Sequence, residues 1–123
     1  MLLRDNYYKI AGRNTTGRET VFRIVLLPDC DVYRGHFPGR PVCPGVCNVQ
    51  VIKECAALLA GKPLSIGAIR QCRFTAVATP GQCPWLDVTL DIEPSAGGYA
   101  VNARIADGRA TYLDFKGEMH EQA

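Results

Sequence analysis

In 123 residues the chain has only two histidines, one tryptophan and a net charge of just +2. With histidine this scarce, each one is worth locating, because its side chain titrates near neutral pH without help. So small a charge excess, with no basic run interleaved with aromatics, argues against nucleic acid or a membrane surface as a partner. No apolar stretch approaches the roughly 18–20 residues needed to cross a bilayer. The N-terminus, MLLRDNYYKIAGRN, lacks the apolar core of a signal peptide, so a cytoplasmic protein is expected. Internal repeats, low-complexity tracts and charged blocks are also missing. With 47% apolar and 21% charged residues, the expectation is one soluble globular domain spanning 1–123. That length supports one real core and is too short for two.

Cysteine is not scarce. Residues 30, 43, 47, 55, 72 and 83 are cysteines. Without a secretory signal, buried reduced thiols are expected rather than disulfides. Cys43 and Cys47 are four apart, but no second close Cys/His pair completes a four-ligand zinc set, so no metal is expected. A reactive thiol at this pair is the alternative, set against the usual behaviour of cysteine as a small apolar side chain.

Those two cysteines flank the most distinctive run in the chain, GHFPGRPVCPGV at 35–46. Proline fixes φ and glycine permits φ > 0, so this composition encodes one rigid loop. His36 is the residue such a loop would hold. Directly after it, residues 45–60 (GVCNVQVIKECAALLA) form the one convincing helix, opened by Pro44 and Gly45 and stopped by Gly61. Val46, Val49, Ile52, Ala56 and Leu59 recur at helical spacing, and only Lys53 and Glu54 are charged, so the helix should be wrapped by other structure.

Strand patterns surround it: 18–27, 64–74, 85–93, 99–106 and 109–117. In 85–93, Leu86, Val88, Leu90 and Ile92 share one face while Asp87, Thr89 and Asp91 share the other. Asp107-Gly108 marks a hairpin turn. One strand, a buried helix and then several antiparallel strands give an α+β domain with a curved sheet around a single helix.

This order, together with the 35–46 run, resembles the hot-dog fold and, more narrowly, the bacterial 3-hydroxyacyl-[acyl-carrier-protein] dehydratases. Gly35, His36, Phe37, Pro38, Gly39, Pro41, Pro44, Gly45 and Val46 match that family's loop in register. The likeness continues at Arg73-Phe74, Pro80-Gly81 and Phe115-Lys116-Gly117 and covers most of the chain from about residue 20. The N-terminal portion is shorter than in the usual dehydratase and lacks its opening helical segment. One departure matters more than these matches. Where family dehydratases place a carboxylate fourteen residues after the loop histidine, this chain has Gln50, and where they commonly have glutamine one turn later it has Glu54.

Dehydrating a 3-hydroxyacyl thioester requires a base for the α-proton, stabilisation of charge on the thioester oxygen, and an acid for the departing hydroxyl. The resemblance implies His36 as base. The polarised N–H groups at Gly45 and Val46 would stabilise the oxyanion. Phe37, Pro38 and Gly39 would line the substrate site. Gln50 donates hydrogen bonds but cannot give up a proton, so a catalytic set of His36, Gln50 and Glu54 depends on Glu54 bridging about 6 Å along the helix axis. The alternative for Glu54 is a carboxylate paired with a cation or left exposed. The resemblance further implies a homodimer or an assembly of dimers, substrates carried by acyl carrier protein or coenzyme A, and no cofactor. Arg40, Arg70 and Arg73 are candidates for docking an acidic carrier. His120 is expected in a solvated tail. Two other functions stay open: a hot-dog thioesterase using Glu54 to position water, and a non-catalytic acyl-binding homologue that pairs with an active partner.

Overall fold

Strands whose apolar residues alternate bury one face only, and here that face curls around the helix. The computed structural model describes residues 2–31 and 43–122; His36, Phe37, Pro38, Gly39 and Arg40 lie outside the described residues. The elements are β1 (Tyr8–Thr16), β2 (Glu19–Leu26), α1 (Gly45–Ala60), β3 (Leu64–Phe74), β4 (Trp85–Ser95), β5 (Gly98–Ala106) and β6 (Thr111–Glu121). They form one six-stranded sheet in the order β1-β2-β4-β5-β6-β3, with every neighbouring pair antiparallel. This is the hot-dog arrangement. The helix bounds equal those expected, and Gly61 closes α1 at φ +73°, a conformation that costs a residue with a Cβ.

Phe22, Ile24 and Leu26 of β2 are buried beside Leu86, Val88 and Leu90 of β4, Val101 and Ile105 of β5, and Leu113, Phe115 and Met119 of β6. The opposite face is charged. Arg23 donates to both Asp87 oxygens (2.9 and 3.0 Å) and stacks on Trp85, and Arg104 pairs with Asp114. Such exposed pairs contribute little stability but keep that face wet.

Three expectations are corrected. First, β1 was not expected, because YKIAGRNTT has no apolar alternation; it is an edge strand, exposed over most of its length. Second, β6 runs on to Glu121, since it pairs with the whole of β3, and this places His120 on a strand rather than in a tail. Third, the covered helix face is rotated. The buried residues are Cys47, Asn48, Val51, Ile52, Glu54, Cys55 and Ala56, whereas Val46 is 73% exposed. A segment that sequence periodicity did not register covers the side bearing Asn48 and Glu54.

Candidate active site

The start of α1 has no side-chain cap and no acidic residue in its first turn, and Pro44 sits at the N-cap position with extended geometry. The carbonyl of Pro44 accepts from Cys47 and Asn48 (3.0 and 3.2 Å). The first N–H groups of a helix, here those of Gly45 and Val46, have no acceptor within the helix itself. At this end Phe74, the last residue of β3, lies over Gly45: a Cβ there would come within 2.8 Å of the ring. The Arg73-Phe74 pair and the Pro44-Gly45 opening, far apart in sequence, therefore meet. A side chain at 45 would have to displace this ring, which is 55% exposed.

Cys43 and Cys47 flank this end, and both are buried. Burial, and then the neighbouring Cys30 and Cys43, push the Cys47 thiol up, opposite to what a nucleophilic thiolate requires. Among the described residues none of the six cysteines is joined in a disulfide. Arg70 is paired with Glu118 (2.8 Å) on the outer surface.

One turn into the helix, Gln50 is half-buried and donates through Nε2 to Glu54 Oε2 (2.9 Å). Glu54 is only 7% exposed. Its Oε2 also accepts from the Leu3 N–H (2.7 Å), and its Oε1 accepts from the Arg4 N–H (2.9 Å) and the Tyr8 hydroxyl (2.9 Å). Four donors occupy the two oxygens, about the full capacity of a carboxylate. Glu54 is thus neither exposed nor held chiefly by a cation; its partners are two main-chain amides, a phenol and a carboxamide.

These contacts belong to a strap. Residues 2–7 cross α1 before the chain enters β1, bending at Asp5, which has φ +70°. Leu3, Tyr7 and Tyr8 are buried, and the Tyr7 hydroxyl donates to Asn48 Oδ1 (2.9 Å). Burial comes first in raising the Tyr8 phenol far above its ordinary range, followed by the negative charges of Cys55 and Glu54 and the bond to Glu54. Tyr7, Tyr8 and Asn48 were missed in the sequence. The available signal was weak: two polar residues, Asn48 and Glu54, on an otherwise apolar helix need buried partners somewhere.

Comparison with known proteins fits this geometry. The family model of the ApeI-like dehydratases (ApeI dehydratase) matches residues 12–111. The chain belongs to the ApeI-like dehydratase family. It is 32% identical over 90 residues to the 3-hydroxyacyl-[acyl-carrier-protein] dehydratase FabZ of Lactiplantibacillus plantarum, covering 67% of this chain and 61% of that protein. To the FabZ of Ligilactobacillus salivarius it is 34% identical over 89 residues, covering 67% and 56%. The chain thus spans about six tenths of the length of the curated relatives it matches. Among solved structures, a chain of the dehydratase heterocomplex ApeI:P from Xenorhabdus doucetiae superposes with a TM-score of 0.72 at 20% identity, over 91% of this chain and 96% of that one. An uncharacterized protein from Erwinia carotovora subsp. atroseptica gives 0.58 at 20% identity, over 89% of each chain. These two likenesses concern the fold.

Proposed function

We propose that this protein binds 3-hydroxyacyl thioesters carried by acyl carrier protein and takes part in their dehydration to trans-2-enoyl thioesters. Its membership of the ApeI-like dehydratase family carries this reading. The proposed roles follow from the chemistry. His36 removes a proton from C2, the negative charge moves to the thioester oxygen, and the Gly45 and Val46 N–H groups stabilise it. The C3–O bond then breaks, C2 and C3 form the double bond, and the hydroxyl leaves with a proton as water. Phe37, Pro38 and Gly39 line the loop side of the site.

The source of that last proton is the point on which this chain departs from the related dehydratases. Gln50 has none to give, and Glu54 is engaged by four donors. In our reading the His36 imidazolium returns the proton it has just taken, and Glu54 acts through Gln50 rather than on substrate. A second reading is favoured by one comparison: a superposed solved chain comes from a dehydratase heterocomplex. A different hot-dog chain would then bring the missing carboxylate, and this chain would contribute the histidine loop. Either arrangement needs a second subunit. The edge of β3, unpaired among the described residues and with Ile69 51% exposed, supports sheet-to-sheet pairing, with a homodimer as the first expectation. The proposed setting is the cytoplasm.

Turnover of a 3-hydroxyacyl carrier-protein substrate tests the proposal. The protein alone should form the trans-2-enoyl product, and His36→Ala should abolish it. Losing a separate general acid lowers the rate on the order of 10²–10⁴-fold, so slow turnover is expected. Turnover only after mixing with a carboxylate-bearing hot-dog chain would favour the shared site. Release of free thiol without enoyl product would replace the dehydratase reading with a thioesterase.

A further inference from the structure

The strap accounts for a carboxylate at position 54, where the family resemblance implies a glutamine. Glu54 faces three donors that it cannot avoid: the Leu3 and Arg4 N–H groups and the Tyr8 hydroxyl. Glutamine at 54 would turn an NH₂ toward this cluster and leave at least one donor without an acceptor, so the strap requires a carboxylate. Once Glu54 is fixed, a second carboxylate one turn earlier would place like charges within contact distance on the same helix face. An amide at 50 relieves this. It forms the same i,i+4 bond with donor and acceptor reversed.

The reversal has a consequence for substrate. A carboxylate can only accept, so the atom of Gln50 that faces Glu54 at 2.9 Å is Nε2, and Oε1 is turned away from it. A carboxamide oxygen carries two lone pairs and can accept from a substrate hydroxyl alongside a protein donor. Gln50 also borders open space: a cavity of about 260 Å³ whose other walls include Leu2, Lys53, Ala57, Pro63 and Leu64. Glu54 and Gln122 complete the lining, and the apolar side formed by Leu2, Ala57, Pro63 and Leu64 suits an aliphatic chain.

We infer that Gln50, oriented by Glu54, recognises the 3-hydroxyl of the acyl substrate by accepting its hydrogen bond. This rests on the proposed binding of 3-hydroxyacyl thioesters and adds a specificity-determining residue, Gln50, and a positioning residue, Glu54. The family carboxylate position becomes a reader of the hydroxyl rather than a donor of its proton.

Paired ligands test it. Calorimetric titration at pH 7 would compare 3-hydroxyacyl-pantetheine amides with saturated acyl-pantetheine amides over chain lengths C4 to C12; the amide replaces the thioester to prevent turnover. At the best-bound length the hydroxylated ligand should bind about three- to tenfold more tightly, although it is the less apolar of the two. Gln50→Leu should bring the ratio near one while keeping affinity for the saturated ligand. Glu54→Gln should lower the ratio too, whereas Tyr8→Phe, which leaves the contact to Gln50 in place, should preserve it. In ¹H–¹⁵N spectra the Gln50 NH₂ proton bonded to Glu54 should lie downfield of its position in a free carboxamide in the wild type and Tyr8→Phe, and move back toward that position in Glu54→Gln. If Glu54→Gln does not fold, Gln50→Leu and the wild-type NH₂ spectrum still decide. Equal binding of the two ligands, or a preference that survives Gln50→Leu, overturns the inference alone. Failure to bind either ligand at any length overturns it together with the reading beneath it.

Discussion

Two carboxylates organise this molecule in the same chemical way and at very different range. Asp107 accepts from the N–H groups of Arg109 (2.8 Å) and Ala110 (2.9 Å) and from the Tyr112 hydroxyl (2.8 Å). Glu54 likewise accepts from two main-chain N–H groups and a tyrosine hydroxyl, with Gln50 added. The Asp107 partners lie within five residues and close the β5–β6 hairpin, whereas the Glu54 partners other than Gln50 lie 46 to 51 residues away and bind the strap to α1. The first network can form as soon as its turn forms. The second exists only after helix, sheet and strap have come together.

Truncation should separate the two most clearly. Glu54→Ala leaves several buried donors without an acceptor, each costing about 1–3 kcal/mol, so a loss of about 3 kcal/mol or more is expected. The Asp107 side chain is itself only 6% exposed, but its donors belong to a surface turn that water can reach once the carboxylate is removed, so a smaller loss of about 1–2 kcal/mol is expected for Asp107→Ala. Urea denaturation measures both, and hydrogen exchange should show residues 2–7 released only in the first variant. Equal losses would mean that the strap is held mainly by the apolar packing of Leu3, Tyr7 and Tyr8.

A smaller effect sharpens the contrast through pH. Burial works against ionisation of Asp107, but the N–H groups of Arg109 and Ala110, the Tyr112 hydroxyl and the Arg109 charge outweigh it and hold the carboxyl below the usual aspartate range. A carboxyl depressed on folding adds stability that is fully present above its unfolded value, near 4, and is lost as pH falls through the lower folded value. Asp107→Asn should remove that part of the acid dependence, leaving a flatter stability profile below about pH 4. Unchanged acid dependence in this variant would show that the turn bonds do not distinguish the charged from the neutral form.

The smallest expected effect concerns Cys55, next to Glu54 in the chain. Its thiol is pushed up to about 12, by burial first and then by the negative charge of Glu54. In the native protein at pH 8, iodoacetamide should modify the half-buried Cys30 and Cys72 well before Cys55. Glu54→Ala should open Cys55 to the reagent by loosening the strap. Comparable native labelling of all three would show that the region opens readily on its own.

How much could be read beforehand follows the same division by range. The bounds of α1 at Gly45 and Ala60, the extent of β3 and the Asp107 turn all agreed with expectation, since proline, glycine and Asp-Gly act through their own backbone neighbours. The alternation in 85–93 put Leu86, Val88 and Leu90 inside, as expected. β1 was invisible because an edge strand with exposed side chains has no period to detect. The covered helix face was misjudged for a related reason: Asn48 and Glu54 are buried by hydrogen bonds to Tyr7 and Tyr8, which a hydrophobic pattern cannot display.

The family, the hot-dog order of elements and the presence of Gln50 one turn before Glu54 are properties of the sequence itself, because each depends on residue types at fixed spacing. Where the carboxylate of Glu54 would find its partners was decided only by tertiary structure. A side chain with four acceptor sites takes the donors that folding brings within 3 Å, and here the N-terminal strap supplies two of them and Tyr8, at the start of β1, a third. That placement sets the direction in which Gln50 faces.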